Sequence, residues 1–128
     1  MPFRSSKSLA LRTALDDVFD EKTLRRGEDY YYDGHVLWLE AEDGKNRRTV
    51  TGQVRGSGHT PYTTVLELSI HAGQLEFDHG QCTCPVGVAC KHTAALLLAF
   101  ADHIDGIGIT RTYAAAMALP NRFGERGR

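Results

Sequence analysis

The sequence has little with which to staple a secreted scaffold. Three cysteines are an odd number, and all three fall between Cys82 and Cys90, so they cannot tie together distant parts of the chain. Long apolar runs are also missing. The longest, Ala94 to Ala101, is well short of the roughly 20 residues that cross a bilayer, so no helical membrane span is expected. The opening residues, Met1 to Ser8, are polar and basic, and no apolar stretch with a cleavage site follows them. A secretory leader is therefore not expected, and the expected compartment is the cytoplasm. Charge of one sign is not in excess: 15 Lys and Arg stand against 16 Asp and Glu, a formal net charge of -1. That removes bulk attraction to nucleic acid and leaves any such binding to a local patch. No Gly-x-x-x-x-Gly-Lys-Ser/Thr segment is present, so the chain carries no phosphate-binding loop of an ATPase. Solenoid-period repeats and low-complexity tracts are absent as well.

What is there reads as one folded domain over residues 1–128, because 41% hydrophobic and 24% charged residues is ordinary globular composition. Leu11, Leu15, Val18 and Phe19 follow the spacing of one helix face, with Asp16 and Asp17 turned outward and Ser8 as the cap. This predicts a first helix over 8–19. Asp20 or Thr23 caps a second, in which Leu24 and Tyr31 lie a helical interval apart, and Gly34 suits the left-handed residue that ends it. That helix brings Arg25, Arg26 and the run Tyr30 to Tyr32 together.

From His35 the period falls to two. Val36 to Leu39 is β-prone, Glu42 to Lys45 reads as a turn, and Val50, Gly52 and Val54 alternate in a returning strand. Tyr62, Thr64, Leu66, Leu68 and Ile70 mark one face of a third strand. Ala72-Gly73 turns into a fourth, in which Leu75 and Phe77 alternate with polar residues. After the cysteines, Ala94 to Ala101 is apolar all round, so this helix is either central to the fold or a docking surface. The expected fold class is α+β: N-terminal helices over 1–34, a small antiparallel sheet of about four strands over 35–79, a Cys3His zinc knuckle followed by a buried helix over 80–103, and a weak helix and basic tail over 104–128.

Residues 82–92 read Cys-Thr-Cys-Pro-Val-Gly-Val-Ala-Cys-Lys-His. Structural zinc takes four nitrogen or sulfur ligands in a tetrahedron, at about 2.3 Å for thiolate and about 2.0 Å for imidazole. Cys82, Cys84, Cys90 and His92 supply that set, and Pro85 and Gly87 let the chain reverse so that Cys90 returns to the same ion. Two other roles compete for these residues. Buried free thiols are common core residues, but Cys82 and Cys84 stand in a polar, turn-rich stretch. A catalytic Cys–His pair would leave two thiols superfluous. His79, three residues before Cys82, is a substitute ligand or an ordinary strand residue. Three thiolates around one Zn2+ form an anionic cluster, for which Lys91 is either a partner or merely a solvated neighbour.

The pattern Cys82-x-Cys84-Pro85, then Cys90-Lys91-His92 and an Ala/Leu helix, resembles the SWIM-type zinc finger. Upstream, Arg26-Gly27, Tyr30-Tyr31, Gly34-His35-Val36, Val50-x-Gly52 and Thr60-Pro61-Tyr62 are similar to the region before the finger in bacterial members, so the resemblance spans about residues 20–101. It implies one structural Zn2+ held by Cys82, Cys84, Cys90 and His92. It also implies a module for DNA binding or protein contact that is accessory to a Swi/Snf-type helicase-like ATPase.

For DNA, the candidate contacts are Lys45, Arg47, Arg48, Arg55 and Lys91, with Trp38, Tyr30 to Tyr32 and Tyr62 available for stacking. Against this, Glu40, Glu42 and Asp43 cancel the hairpin charges, and core packing also accounts for the aromatics. The alternative is a pure protein-interaction module using the apolar helix. An enzyme is not expected, since no carboxylate pair, Ser-His-Asp set or open metal position emerges.

Overall fold

The computed structural model describes residues 6–56, 60–87 and 90–104. In chain order these form α1 (Ser6–Val18), α2 (Glu21–Tyr32), β1 (Val36–Gly44), β2 (Arg47–Val54), β3 (Tyr62–His71), β4 (Gln74–Cys82) and α3 (Lys91–Ile104). The expected α+β architecture is what the described residues show. The weak helix and tail expected beyond residue 104 lie outside them.

The strands form an antiparallel meander in the order β1-β2-β3-β4. The first hairpin turns at Lys45 and Asn46, slightly later than the Glu42 to Lys45 signal suggested, because Asn46 takes the left-handed φ of 58° that a tight turn requires. Alternation puts Val50, Gly52 and Val54 of β2, and Thr64, Leu66 and Leu68 of β3, on one buried face. β4 departs from strict alternation. Leu68 pairs with Phe77 but Glu67 pairs with His79, so Asp78 is an extra residue bulged out of the ladder. Leu75 and Phe77 before the bulge, and Gly80 and Cys82 after it, consequently face the same side, although they are not an even number of residues apart throughout.

α3 lies on that face. Residues His92 to Asp102 are all buried, because the sheet covers one side of the helix, α2 runs along the other, and α1 packs on both α3 and β4. The all-apolar helix is thus the centre of the fold, not an open docking surface. Close approach is built from small residues: a Cβ at Gly27 of α2 would lie 2.6 Å from that of Ala94, and a Cβ at Gly80 would lie 2.5 Å from Thr93 Cγ2. Asp102 joins the three helices, accepting hydrogen bonds from Arg12 of α1 and, at 2.6 Å, from the Tyr31 hydroxyl of α2. Burial first, and the Asp102 carboxylate second, raise the Tyr31 hydroxyl above its ordinary pKa.

Two helix ends follow their sequence signals. Asp20 caps α2, its carboxylate accepting the Thr23 N–H at 2.7 Å, and that bond lowers its pKa. Gly34, at φ 82°, ends the helix, with Gly34 N–H donating to the Tyr31 carbonyl and His35 N–H to the Tyr30 carbonyl. The first helix differs from expectation. It begins at Ser6, so Ser8 lies within it rather than capping it, and Val18 is 42% exposed while Leu11, Leu15 and Phe19 are buried. The helix ends at Val18, and the chain turns there to carry Phe19 against Phe77, ring centroids 6.5 Å apart.

Candidate metal centre

The bulge at Asp78 brings Cys82 to the buried side at the end of β4, opposite Thr64. The chain then bends through residues 83–86 and reverses at Gly87, whose φ of 85° favours glycine. Cys82 N–H donates to the Gly87 carbonyl at 2.8 Å and closes the knuckle, while Thr83 N–H donates to the Thr63 carbonyl at 3.1 Å and pins it to β3. Cys90 stands at the head of α3, its carbonyl accepting the Ala94 N–H at 3.1 Å, and His92 lies in the first turn. A strand end, a loop and a helix start thus converge.

The donor atoms of Cys82, Cys84, Cys90 and His92 all lie within 4.8 Å of one another, and none of the three thiols is in a disulfide. His92 presents Nδ1, at 3.7 Å from the sulfur of Cys82 and 3.7 Å from that of Cys90. Those separations fit the edges of a zinc-centred tetrahedron, which are about 3.5 to 3.8 Å for bonds of the usual length. Four converging protein ligands define a closed, structural position, and the site holds one structural zinc ion. Cys84, Cys90 and His92 are buried and Cys82 is half-buried, so solvent has little access to the ion.

The surroundings favour thiolate at Cys90. The Thr64 hydroxyl donates to Cys82 Sγ at 3.4 Å, and Thr93 Oγ1 lies 3.4 Å from Cys90 Sγ. Without metal the Cys90 thiol is drawn down to about 3, first by the hydrogen bond from Cys82, then, against burial, by bonds from His92 and from the Thr93 side chain and backbone N–H. The same bond, with burial, pushes Cys82 up. The imidazole of His92 is gripped by two tyrosines, Tyr62 at a centroid distance of 4.7 Å and Tyr30 edge-on at 5.5 Å. Its Nε2 is buried and has no hydrogen-bond partner among the described residues.

Of the residues singled out in the sequence, the four ligands come together. His79 is exposed on β4 and is not in the cluster. The candidate DNA contacts divide between two ends of the sheet. Lys45, Arg47 and Arg48 lie at the β1–β2 tip, with Arg47 paired to Glu67 at 3.3 Å and Arg48 to Asp43 at 2.5 Å. Arg55 follows the other end of β2, roughly 24 Å away along an extended strand, on the side of the zinc. Lys91 Nζ sits 5.0 Å above the Tyr30 ring, a cation–π contact. Trp38 donates to Gln53 at 3.2 Å, away from the metal.

Several contributors carry no mark of their role in the sequence pattern: Thr93, Thr23 and Arg26. Thr64 does carry one, as a polar residue on a strand face that is otherwise aliphatic. Thr23, Arg26, Tyr62, Pro85, Val86 and Lys91, together with the zinc ligands Cys84, Cys90 and His92, line a groove of about 270 Å³ that includes space next to the metal's own seat.

A Cys3His centre that closes a strand-to-helix corner defines a structural zinc finger set in an α+β frame. The particular kind follows from comparison with known families: the SWIM zinc finger family model matches residues 62–101, from the start of β3 to the last turns of α3, and takes in all four ligands. Residues 62–101 thus match a SWIM zinc finger, a kind of domain that binds and does not catalyse. α1, α2, β1 and β2, which the resemblance in sequence also took in from about residue 20, lie outside that match. The chain matches no curated protein and no solved structure at a significant level. Among the described residues, no helix is long and apolar enough to cross a membrane.

Proposed function

We propose that the chain is a non-catalytic module that binds nucleic acid, DNA in the first instance, through the zinc end of the molecule, with the ion holding that surface in shape. The observation that carries this reading is the pairing of the cations. Arg12, Arg25, Arg47 and Arg48 each lie against a carboxylate, whereas Arg26, Arg55 and Lys91 gather at the zinc end and form no ion pair among the described residues; Lys22 and Lys45 are unpaired too, but Lys22 does not line the groove beside the ligands and Lys45 lies at the hairpin tip. Unpaired cations beside half-buried aromatics suit phosphates and bases. The hairpin tip is left out of the surface because Arg47 and Arg48 are already neutralised, which leaves Lys45 as a lone cation there.

The alternative, a module that contacts only protein, drew its support from the apolar helix, and the burial of α3 removes that support. A helicase-like ATPase as the working partner rests on the resemblance to SWIM modules that accompany such motors.

The test is fluorescence anisotropy with labelled DNA over a salt series. Zinc-loaded protein is expected to bind with an affinity that falls as salt rises, and the double variant Arg55→Gln, Lys91→Gln to lower the slope by about 0.9 per lost contact on duplex DNA. Absence of binding at low salt overturns the reading.

A further inference from the structure

We infer that the groove beside the knuckle seats a single unstacked nucleotide, so that the module prefers single-stranded nucleic acid to duplex. This rests on the nucleic-acid reading above and specifies its ligand.

At about 270 Å³, the space next to Cys84, Cys90 and His92 included, the groove lies just below the size of small-molecule sites, which run from about 300 Å³ upward. It cannot take a helix or strand of a partner, and a stacked base pair cannot enter a concave site. One group of a polymer can. The walls suit the two halves of a nucleotide. Arg26 of α2 and Lys91 of α3 supply two cations, neither in an ion pair among the described residues, which together outweigh the single net negative charge of a zinc tris-thiolate centre. The same groove is lined by Tyr62, Pro85 and Val86, and Val86 is 68% exposed, the most exposed large aliphatic side chain among the described residues. A base laid against these covers apolar surface that is otherwise open to water.

Rigidity supports the same occupant. Tyr62 is held against His92, itself fixed by the metal, and Lys91 is held over Tyr30, so both the stacking ring and one phosphate contact are in place before the ligand arrives. An acidic peptide would use the two cations but leave the ring and the apolar wall unused. A single strand uses both.

The test compares a fluorescein-labelled oligothymidylate strand with a duplex of equal length, over a salt series, using zinc-loaded protein. The single strand is expected to bind more tightly. Arg26→Gln should weaken strand binding and lower its salt slope by about 0.7. Tyr62→Leu should weaken it by about five- to 150-fold, the range that loss of one stacked base gives, with zinc content unchanged, while Tyr62→Phe stays near wild type. Val86→Asp, at an exposed site, should weaken it too and decides the matter if Tyr62→Leu loses zinc. Duplex binding as tight as strand binding, or wild-type strand affinity in both Arg26→Gln and Val86→Asp, overturns the groove assignment while DNA binding itself stands. No binding of either oligonucleotide, with or without capture of polyglutamate, overturns both.

Discussion

A thiolate at Cys90 closes the zinc sphere and also lies 3.4 Å from the Thr93 hydroxyl in the first turn of α3, so one atom serves as metal ligand and as an anchor for the helix start. Replacing it removes both functions at once. Cys90→Ala should abolish stoichiometric zinc and loosen the corner between β4 and α3; metal analysis of the purified variant beside its thermal melt reads both, and one tightly held zinc with an unchanged melt would refute the coordination. The hydroxyl of Thr64 acts one step out, as the donor to Cys82 Sγ. Thr64→Val keeps the shape and deletes the donor, so zinc affinity should fall by about 10- to 100-fold, measured by competition with a chromophoric chelator, with little change in the far-UV spectrum. The ligands were legible because three thiols and an imidazole crowded between Cys82 and His92 serve little purpose except to hold a metal. Arg26 was not, since its importance arises from what α2 brings near the knuckle and not from its neighbours in the chain.

Secondary elements here are set by local chemistry and then fitted by size. α2 shows both. Its cap, Asp20, has a pKa lowered first by the Thr23 N–H, so the cap stabilises the folded state above the ordinary carboxylate range and ceases to do so as pH falls through the folded value. The melting temperature of Asp20→Ala should accordingly lie below that of the wild type at neutral pH, with the gap closing in acid. Further along, Gly27 breaks the usual preference for alanine within helices, worth about 0.8 to 1.0 kcal/mol. A methyl there would meet the Cβ of Ala94 at 2.6 Å and the α3 backbone at 3.1 Å, so Gly27→Ala should destabilise by about 1 to 3 kcal/mol in urea denaturation instead of stabilising. Strand periodicity was readable for β2 and β3, where alternation runs unbroken. The bulges opposite Glu67 in β4 and between Val36 and Trp38 in β1 leave no comparable mark in the sequence, and the early start of α1 has none either.

Over the described residues the molecule is a sheet and two helices wrapped around a third, with the metal site at one end of the central helix and the Arg12–Asp102–Tyr31 cluster towards the other. The two ends should therefore respond differently to metal removal. Structural zinc contributes about 10 to 16 kcal/mol of apparent binding energy in small modules, against a usual net stability of about 5 to 15 kcal/mol, so stripping the ion should lower the melting temperature substantially. Hydrogen exchange is expected to quicken first at the end of β4 and in the first turn of α3, while amides of α2 around Tyr31 and of α3 around Asp102 keep their protection longer. Uniform exchange along α3 would contradict this. The class of fold and the central place of α3 could be read from composition and period alone, but the order in which the layers cover it required long-range contacts that no local window contains.

The supernumerary residue at Asp78 makes the metal seat a matter of counting. Parity along β4, and not the identity of any one side chain, decides whether Cys82 looks inward. A lineage that smoothed the ladder at Asp78 while keeping the five-residue step from Phe77 to Cys82 would keep every ligand in its spelling and yet turn the first of them to the wrong side, silencing the finger with its motif intact.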